Sequence, residues 1–291
     1  MQFGRVTNIE GIEFALPQDL PVERAAPPTV HTCEVLAGLP VWAKKSFVGP
    51  IYPAGTRSAD MLAAYGARFP AIELNPTHYS VPDVARIEAW CAQVPPHFKF
   101  CPKVPQAISH SREPDVPALR AFAARMQTFG KRLGPCFMQF PDYADTSWRR
   151  TVFELTRAFP LPLAVELRHP SWFQDKGVLA KFTAYLASRD IAFVITDTPG
   201  RRDVLHMANT ASFAFVRFLG NALHPSDFAR IDAWAARLAA WAPGLSSAYF
   251  FLHQQDEVQC LPLYERLVNQ LPHAVLPPAA PNATDGAPAA P

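Results

Sequence analysis

The stretch LAVELR at residues 163–168 is typical of a short buried β-strand that ends in charged side chains. Side chains alternate along a strand, so Glu166 and the terminal arginine share one face, and the apolar residues beside Glu166 share the other. The stretch AIELN at residues 71–75 repeats this design, with Glu73 and Asn75 on the polar face. Two strands are therefore predicted to deliver a carboxylate at the same depth of one sheet.

Eight apolar runs alternate with longer segments of helical periodicity along the chain. The predicted strands are Cys33–Leu39, Ala71–Asn75, Phe98–Lys103, Cys136–Phe140, Leu163–Arg168, Ala192–Asp197, Phe213–Phe218 and Ala248–His253. The predicted helices are Ala59–Arg68, Pro82–Gln93, Val116–Arg132, Trp148–Phe159, Val178–Arg189, Asp227–Trp241 and Val258–Asn269. Only the sixth connection is too irregular for a helix. This α/β alternation predicts a single TIM-like (β/α)8 barrel with parallel strands, and no G-x-G-x-x-G motif follows a strand.

The predicted barrel domain covers residues 31–272, an ordinary size for one α/β barrel. Residues 1–30 lack a sustained period and contain several prolines, so an irregular N-terminal extension is predicted there. Residues 273–291 are rich in Pro and Ala and are predicted to be a disordered tail.

Charge and composition disfavour several classes of protein. Lys and Arg total 27 against 25 Asp and Glu, and a net charge of +2 provides no field that would hold a polyanion, so nucleic acid is an unfavoured partner. The five cysteines form no C-x-x-C pair, which is typical of reduced thiols in a cytoplasmic protein. No apolar run is long enough to cross a membrane. The oligomeric state is not predicted.

Polar residues gather at the ends of the predicted strands, where the catalytic residues of TIM barrels lie. Besides Glu73, Asn75 and Glu166, this set contains Lys103, Gln139, Arg168, Asp197, Arg217 and His253. A buried charge needs a partner or a ligand, because burying it alone costs several kcal/mol. A small-molecule site is therefore predicted at this face.

Six short segments, NPTHYSVP, FKFCPKVPQAISH, LGPCFMQFP, AVELRHPSWF, ITDTP and FVRFLGN, occur in one order and spacing. They resemble the YecE-like family, a domain of unknown function (number seventy-two), over roughly residues 33–270. The most specific residues are Glu73, Asn75, Thr77 and Tyr79, then Lys103 and His110, and then the run 166–172 with His169 and Trp172. The resemblance implies a TIM-like barrel in a bacterial or archaeal cytoplasmic protein and no established reaction. His78 and Leu219 depart from it, since many members carry Phe and His there.

The charged strand ends allow two interpretations. Glu73 and Glu166 form a general acid and base pair, or Arg168, Arg217 and Lys103 neutralise them in a structural layer of ion pairs. Lys103 is a charge partner in the second interpretation, and a Schiff-base amine is the alternative.

The histidines and aromatic residues also have two interpretations each. His110, His169 and His253 transfer protons near neutral pH, or they hydrogen-bond loops. Trp42, Tyr79 and Trp172 form an aromatic wall against a sugar or base, or they pack at the rim. The predicted catalytic residues are Glu73, Glu166, Lys103 and His253. The predicted substrate-binding residues are Asn75, Thr77, Tyr79, His110, Gln139, Arg168, His169, Trp172, Asp197 and Arg217.

No cofactor is predicted. Glu73, Glu166, Asp197 and His253 are suitable hard ligands, so a divalent metal stays a minor alternative, although no metal-binding motif is present. The favoured function is acid and base chemistry, by hydrolysis, isomerisation or a lyase-type step, on a small anionic or polyhydroxylated metabolite. The alternative is a non-catalytic protein that binds a nucleotide or nucleic acid with the same basic and aromatic rim.

Overall fold

Parallel strands form the centre of the protein, and helices follow most of them. The computed structural model describes Gly4, residues 6–24 and residues 33–271, so the predicted tail at 273–291 lies outside the described residues. The strands are β1 (Glu34–Leu39), β2 (Ala71–Leu74), β3 (Lys99–Pro102), β4 (Cys136–Gln139), β5 (Leu163–Glu166), β6 (Ala192–Phe193), β7 (Ile195–Asp197), β8 (Phe213–Leu219) and β9 (Ser247–His253). The helices are α1 (Met61–Gly66), α2 (Val84–Gln93), α3 (Gln106–Ser109), α4 (Val116–Met126), α5 (Arg149–Ala158), α6 (Ser171–Gln174), α7 (Lys176–Ala187), α8 (Pro225–Trp241) and α9 (Cys260–Gln270). Within these ranges no helix has both the length and the apolar character of a membrane span.

The strands lie in two sheets whose ladders are all parallel, which confirms the predicted α/β class. One sheet has the order β3-β2-β1-β9-β8-β7 and the other has the order β4-β5-β6. The sequence predicted one closed sheet, whereas the ladder is interrupted at two places. At the first, an isolated parallel bridge between Lys103 and Phe137 links the end of β3 to β4. At the second, Val194 separates β6 from β7.

The interruption at Val194 has a local cause. The backbone N–H of Val194 donates to the carbonyl of Val165 at 2.9 Å, as in a regular strand. The carbonyl of Val194 instead accepts a hydrogen bond from Nε2 of His206 at 3.1 Å, and the His206 ring stacks on Phe193 with 3.9 Å between ring centroids. The His206 side chain therefore occupies the carbonyl oxygen of Val194, which would otherwise accept a hydrogen bond from a neighbouring strand. As a result, the predicted strand 192–197 becomes two short strands.

Alternate strand residues face two different hydrophobic clusters, as the period of two requires. The larger cluster combines strand and helix residues. The inner cluster takes residues from both sheets, including Leu36, Ala71, Cys101, Phe137, Ala164, Phe215 and Phe251. Residues two positions further along these strands therefore lie beyond the inner cluster, toward the carboxyl ends of the strands.

The N-terminal segment 6–24 contains no helix or strand and packs near α8. Asp19 forms an ion pair with Arg237 and accepts a hydrogen bond from Nε1 of Trp241 at 2.9 Å. The backbone N–H of Leu20 donates to the carbonyl of Met207 at 3.2 Å. The segment is irregular, yet specific hydrogen bonds hold it against the folded domain.

Gly38 in β1 stands where no side chain fits. A Cβ atom at this position would lie 2.0 Å from the carbonyl oxygen of Ala71, which also accepts a hydrogen bond from Tyr65 Oη at 2.8 Å. We expect Gly38→Ala to lower the free energy of unfolding by about 1–3 kcal/mol or more, because overpacking forces the sheet to move. Urea denaturation measures this change. Gly177→Ala in the first turn of α7 is the control, since its new Cβ meets only Asp175 Oδ1 at 3.2 Å; equal losses in both variants would contradict the steric argument.

Candidate functional site

A polar cavity of about 460 Å³ lies at the carboxyl ends of the strands. Seven residues of the predicted site line it, namely Asn75, Tyr79, Lys103, His110, Gln139, Arg168 and His253. Further lining residues come from the loops after β8 and β9, among them Gly220, Asn221, Gln254 and Gln255. Pro40 after β1 and Thr198 after β7 also line it, so the structure brings together residues at or just after the ends of eight strands.

Beneath the cavity, Arg217 joins two carboxylates in a fully buried ion-pair layer. Its Nε and Nη2 donate to Glu73 Oε2 and Oε1 at 2.8 and 2.9 Å, and its Nη1 donates to Glu166 Oε2 at 2.9 Å. All three side chains have an exposed fraction of 0%. This geometry is the planar, forked pairing that favours arginine over lysine.

Other donors complete the coordination of both carboxylates. Arg168 Nε donates to Glu166 Oε1 at 2.8 Å, and Thr196 Oγ1 donates to the same oxygen at 2.9 Å. Asn75 Nδ2 donates to Glu73 Oε1 at 2.8 Å. The two carboxylates therefore serve as acceptors for a surrounding set of fixed donors.

The charges around these carboxylates keep both ionised. Burial alone would raise the pKa of Glu166, but the charges of Arg168 and Arg217 and the hydrogen bond from Arg168 lower it to about 2. Burial also opposes ionisation of Glu73, and Arg217 and His253 outweigh it, so the pKa of Glu73 lies well below its usual range. Neither group is poised to exchange a proton near neutral pH.

Lys103 lines the cavity next to this layer without touching a carboxylate in any hydrogen bond that the structure describes for it. Its Nζ donates to Gln139 Oε1 at 2.8 Å and lies 5.4 Å from the centroid of the Phe137 ring. Burial and the charge of Arg217 lower the pKa of Lys103 to about 8, despite the opposing effect of Glu166 and Glu73. Its ammonium is thus much easier to deprotonate than that of an exposed lysine.

His253 at the end of β9 is hydrogen-bonded to the ion-pair layer. Its Nε2 lies 3.2 Å from Glu73 Oε2, and the ring lines the cavity. Burial lowers the pKa of His253, although Glu73 acts in the opposite direction. A neutral ring that donates from Nε2 to Glu73 leaves Nδ1 as a proton acceptor.

Two further histidines share the cavity wall near Lys103. The His78 and His110 ring centroids lie 5.3 Å apart, and His78 Nδ1 is 2.8 Å from the carbonyl oxygen of Val104. Burial and the charge of Lys103 lower the pKa of each ring to about 4. His78 was missed as a site residue by sequence reasoning, and its signal was its departure from the family pattern.

Four predicted site residues lie outside both the cavity lining and the buried ion-pair layer. Trp172 is buried, and its Nε1 donates to the carbonyl of Ala144 at 2.8 Å. Thr77 Oγ1 lies 2.8 and 2.7 Å from the carbonyl oxygens of Leu74 and Lys103 and ties the end of β2 to the end of β3. These two side chains hold the loops that carry other site residues.

The remaining two have partners away from the cavity. Asp197 forms an ion pair with Arg230 of α8 at 2.9 Å and accepts a hydrogen bond from Trp234 Nε1 at 2.7 Å. His169 Nδ1 lies 2.9 Å from Ser171 Oγ at the start of α6. Asp197 follows Thr196, whose side chain points inward, so the alternation along β7 directs Asp197 outward.

The residues considered as metal ligands do not converge. Glu73 and Glu166 form ion pairs with Arg217, and Asp197 forms an ion pair with Arg230. In the part of the chain that the structure describes, no group of three or more His, Cys, Asp or Glu side chains is arranged to hold a metal ion.

The N-terminal segment reaches this face and forms part of the cavity wall. Gly4 and Val6 line the cavity. The carbonyl of Gly4 accepts hydrogen bonds from Thr198 Oγ1 at 2.9 Å and from the backbone N–H of Gly200 at 2.8 Å. No sequence signal predicted that these residues return to the strand ends.

The fold and the site define a parallel α/β protein with a polar cavity at the carboxyl ends of its strands. The chain belongs to the family described as "Protein of unknown function DUF72", whose model matches residues 36–285, and this confirms the predicted resemblance. A solved DUF72 structure from Enterococcus faecalis V583 is 17% identical, with 81% of this chain and 95% of that chain covered and a TM-score of 0.68. A second, from Thermotoga maritima MSB8, is 21% identical, with 81% and 99% covered and a TM-score of 0.66.

A curated relative matches over a shorter region. The UPF0759 protein YunF of Bacillus subtilis (strain 168) is 26% identical over 134 residues, which is 42% of this chain. The match spans 48% of the length of that relative, or about half of it. The two solved structures have the same fold as this chain.

Proposed function

We propose that this protein is an enzyme that transfers a proton on a small, anionic, hydroxyl-bearing metabolite, and that the metabolite binds at the carboxyl end of a TIM-like (β/α)8 barrel. One observation carries this proposal: two cationic side chains, Lys103 and Arg168, face the cavity, while Arg217 pairs with both carboxylates beneath it. The proposed reaction is an isomerisation or a lyase-type step that begins with removal of a proton from carbon.

The continuity of the two sheets supports the barrel. The bridge between Lys103 and Phe137 joins them on one side, together with a hydrogen bond from the N–H of Val104 to the carbonyl of Phe137 at 2.9 Å. On the other side, β6 and β7 flank the single residue Val194 and belong to different sheets. Both sheets also contribute to one inner hydrophobic cluster, as the strands of a barrel do.

The charge balance supports an anionic ligand. The buried layer holds the carboxylates of Glu73 and Glu166 against the cations of Arg217, Arg168 and Lys103. Among these five groups the cations outnumber the carboxylates by one when all are ionised, and such a cluster favours an anionic ligand over a cationic one. Arg168 can bind a phosphate or carboxylate through its planar fork. The amides of Asn75, Gln139, Asn221 and Gln254 at the same cavity suit hydroxyl groups.

His253 is the proposed proton carrier, and the two carboxylates are positioning residues. Glu73 accepts from Nε2 and holds the ring in the tautomer whose Nδ1 is basic. Glu166 holds Arg168 in place through the 2.8 Å hydrogen bond to Nε. This division of roles follows from the low pKa of both carboxyls, which suits them to fixing charge rather than to carrying protons.

The alternative, a nucleic-acid or nucleotide binder, receives less support from the geometry. The cavity of about 460 Å³ falls in the range of small-molecule sites. Three dibasic pairs in the sequence, Lys44-Lys45, Arg149-Arg150 and Arg201-Arg202, could contact a phosphate backbone. Several of these side chains are already in ion pairs, since Lys44 pairs with Glu257, Arg201 with Asp203 and Arg202 with Asp197.

Deuterium incorporation tests the proposed reaction. Sugar phosphates, sugar acids and small oxo acids are screened by thermal shift, and stabilising ligands are then incubated with the protein in D2O and followed by NMR. We expect His253→Gln to slow exchange at the reactive carbon by about 10²–10⁴-fold while the ligand still binds. Arg168→Met should weaken binding by about 10- to 150-fold, in line with loss of a charged hydrogen bond.

Arg149→Met, at an exposed position on α5, is the matched control and should change neither quantity. Exchange that persists at the full rate in His253→Gln, or ligands that bind equally well to Arg168→Met, would contradict the proposal. Stabilisation by oligonucleotides alone would favour the alternative.

A further inference from the structure

We propose that Lys103 is a covalent catalyst, which forms a protonated Schiff base with a small aldehyde or ketone that also carries a phosphate or carboxylate group. This inference rests on the proposed function and adds to it the carbonyl group of the substrate and the role of one side chain. It is carried by the surroundings of Lys103 at the end of β3.

The location of Lys103 combines burial with access to the cavity. Its side chain has an exposed fraction of only 7%, and it is the one lysine among the described residues that line the cavity. A ligand that fills this space therefore lies against Lys103. A nucleophilic amine needs this protected contact with its substrate, because water competes for both the amine and the carbonyl carbon.

The hydrogen-bond partner of Lys103 is neutral. Nζ donates to the amide oxygen of Gln139 at 2.8 Å, whereas Glu73 and Glu166 are held by arginines. A direct carboxylate partner would favour the ammonium form and would make loss of its proton costly. The arginines therefore prevent the two carboxylates from stabilising the ammonium form of Lys103 by direct contact.

Electrostatics around the amine favour the same role. Burial and the charge of Arg217 lower the pKa of Lys103 to about 8, so about a tenth of the amine is neutral at pH 7. Arg168 lines the same cavity, and its guanidinium is the group that binds the anion of the substrate in the proposed function. Carbonyl and anion would then be held by two different cationic side chains.

The chemistry balances without a further reactant. After the ammonium releases a proton, the lone pair of neutral Lys103 forms a C–N bond to the carbonyl carbon, the C=O π electrons move to the oxygen, and one proton passes from the nitrogen to the oxygen to give a carbinolamine. The C–O bond then breaks, the oxygen leaves with a second proton as water, and the nitrogen lone pair forms the C=N bond. Overall, one ammonium and one carbonyl give one iminium and one water. The iminium draws electrons from the adjacent carbon, whose proton His253 then accepts.

Borohydride trapping tests this inference with the full-length protein. The protein is incubated with pyruvate, with dihydroxyacetone phosphate, or with uncharged dihydroxyacetone, each in the presence of sodium borohydride, and the modified lysines are identified by peptide mass spectrometry. We expect a reduced adduct at Lys103 that forms at least ten times faster than at exposed Lys181 on α7. The pyruvate and phosphate arms show whether a carboxylate or a phosphate is the preferred anion.

Three variants make the result decisive. Lys103→Arg keeps the positive charge and should abolish the adduct, and Lys181→Met should leave it unchanged. Arg168→Met should reduce labelling by the anionic probes to the rate seen with uncharged dihydroxyacetone. Circular dichroism and thermal unfolding verify that each variant is folded.

Two outcomes would overturn the inference. The first is labelling that follows the exposure of each lysine, or that is absent from Lys103 with all three probes. The second is deuterium exchange that proceeds at the full rate in Lys103→Arg, which would leave the proposed proton transfer intact and remove the covalent step. If His253→Gln loses deuterium exchange but still forms the adduct at Lys103, the result would support both the proton transfer by His253 and the Schiff base at Lys103.

Discussion

Replacing Arg217 with methionine is expected to lower the free energy of unfolding by about 3–5 kcal/mol, because it strands two buried carboxylates without their shared cation. Arg217 donates to Glu73 at 2.8 and 2.9 Å and to Glu166 at 2.9 Å, and all three side chains are fully buried. The cost comes mainly from the charges left behind. Urea denaturation of Arg217→Met at pH 8 measures it.

The loss should be smaller at acidic pH, and its direction follows from the pKa changes. In the variant, Arg168 still pairs with Glu166, whereas Glu73 loses both hydrogen bonds from Arg217, so burial raises the pKa of Glu73 above the value of the unfolded chain. The folded variant then binds protons more tightly than the unfolded variant, so its stability rises as the pH falls. In the unchanged protein, the pKa of Glu166 is about 2, and its contribution to stability declines only as the pH falls from the ordinary glutamate range toward that value. The difference between the two proteins should therefore be smaller at pH 5 than at pH 8.

Two further variants distinguish the effect of leaving buried carboxylates without Arg217 from the effect of removing an arginine side chain. Arg266→Met breaks an exposed pair with Asp232, whose two hydrogen bonds are both 2.6 Å long, and should cost less than about 1 kcal/mol. The triple variant that adds Glu73→Gln and Glu166→Gln to Arg217→Met removes the stranded charges and should recover much of the loss. A triple variant as unstable as Arg217→Met would show that packing, and not charge, accounts for the effect.

Strand alternation was enough to predict much of this layer. The period of two placed Glu73 and Glu166 on the inner face, and the same rule places Thr196 inside and Asp197 outside. It could not decide whether Arg217 pairs with these carboxylates, as the second interpretation required, and it gave no sign of Arg230, because both arginines come from distant elements. Whether Glu73 and Glu166 act as an acid and base pair or as partners in ion pairs depends on their contact with Arg217. The local sequence around each residue does not determine that contact.

The parts that sequence reasoning missed depend on long-range contacts in the same way. Trp172 follows the strand end at residues 163–166, yet its ring lies in the core beneath α6, with its Nε1 bonded to the carbonyl of Ala144. Gly4 lines the cavity because Thr198 and Gly200 bind its carbonyl, and nothing in the local pattern indicates that return of the chain. The alternation of strands and helices is a local property, so it was predictable without such contacts.

Acidification below about pH 6.5 is expected to destabilise the protein, and His206 is the side chain with the most clearly defined contribution. Its Nε2 donates to the carbonyl of Val194 at 3.1 Å, and its Nδ1 accepts from the N–H of Ala208 at 3.3 Å. Both ring nitrogens are thus satisfied only in the neutral form. A proton on Nδ1 would face the N–H of Ala208, and burial lowers the pKa of His206 to about 3.

The direction of this change in stability with pH follows from how tightly the folded and unfolded states bind a proton on His206. The unfolded chain takes up a proton on this histidine near pH 6.5, whereas the folded protein does so only near pH 3, so stability is full above pH 6.5 and falls as the pH decreases. Between pH 7 and pH 5 the loss from His206 amounts to about 2 kcal/mol. The lowered pKa values of His78 and His110 add to it in the same direction.

His206→Phe isolates this contribution, because it keeps a ring against Phe193 and removes the titrating nitrogens. At pH 7 the variant should be less stable by about 1–3 kcal/mol, since the carbonyl of Val194 loses its donor. At pH 5 the difference in free energy of unfolding between the two proteins should be smaller by about 2 kcal/mol. Only the unchanged protein loses stability on acidification through a histidine that stays neutral in the folded state. Phe182→Leu, which removes a ring packed against Phe193, keeps the histidine and should show a constant offset at both pH values. A His206→Phe profile parallel to that of the unchanged protein would mean that the acid sensitivity arises elsewhere, with the histidines of the cavity as the next groups to replace.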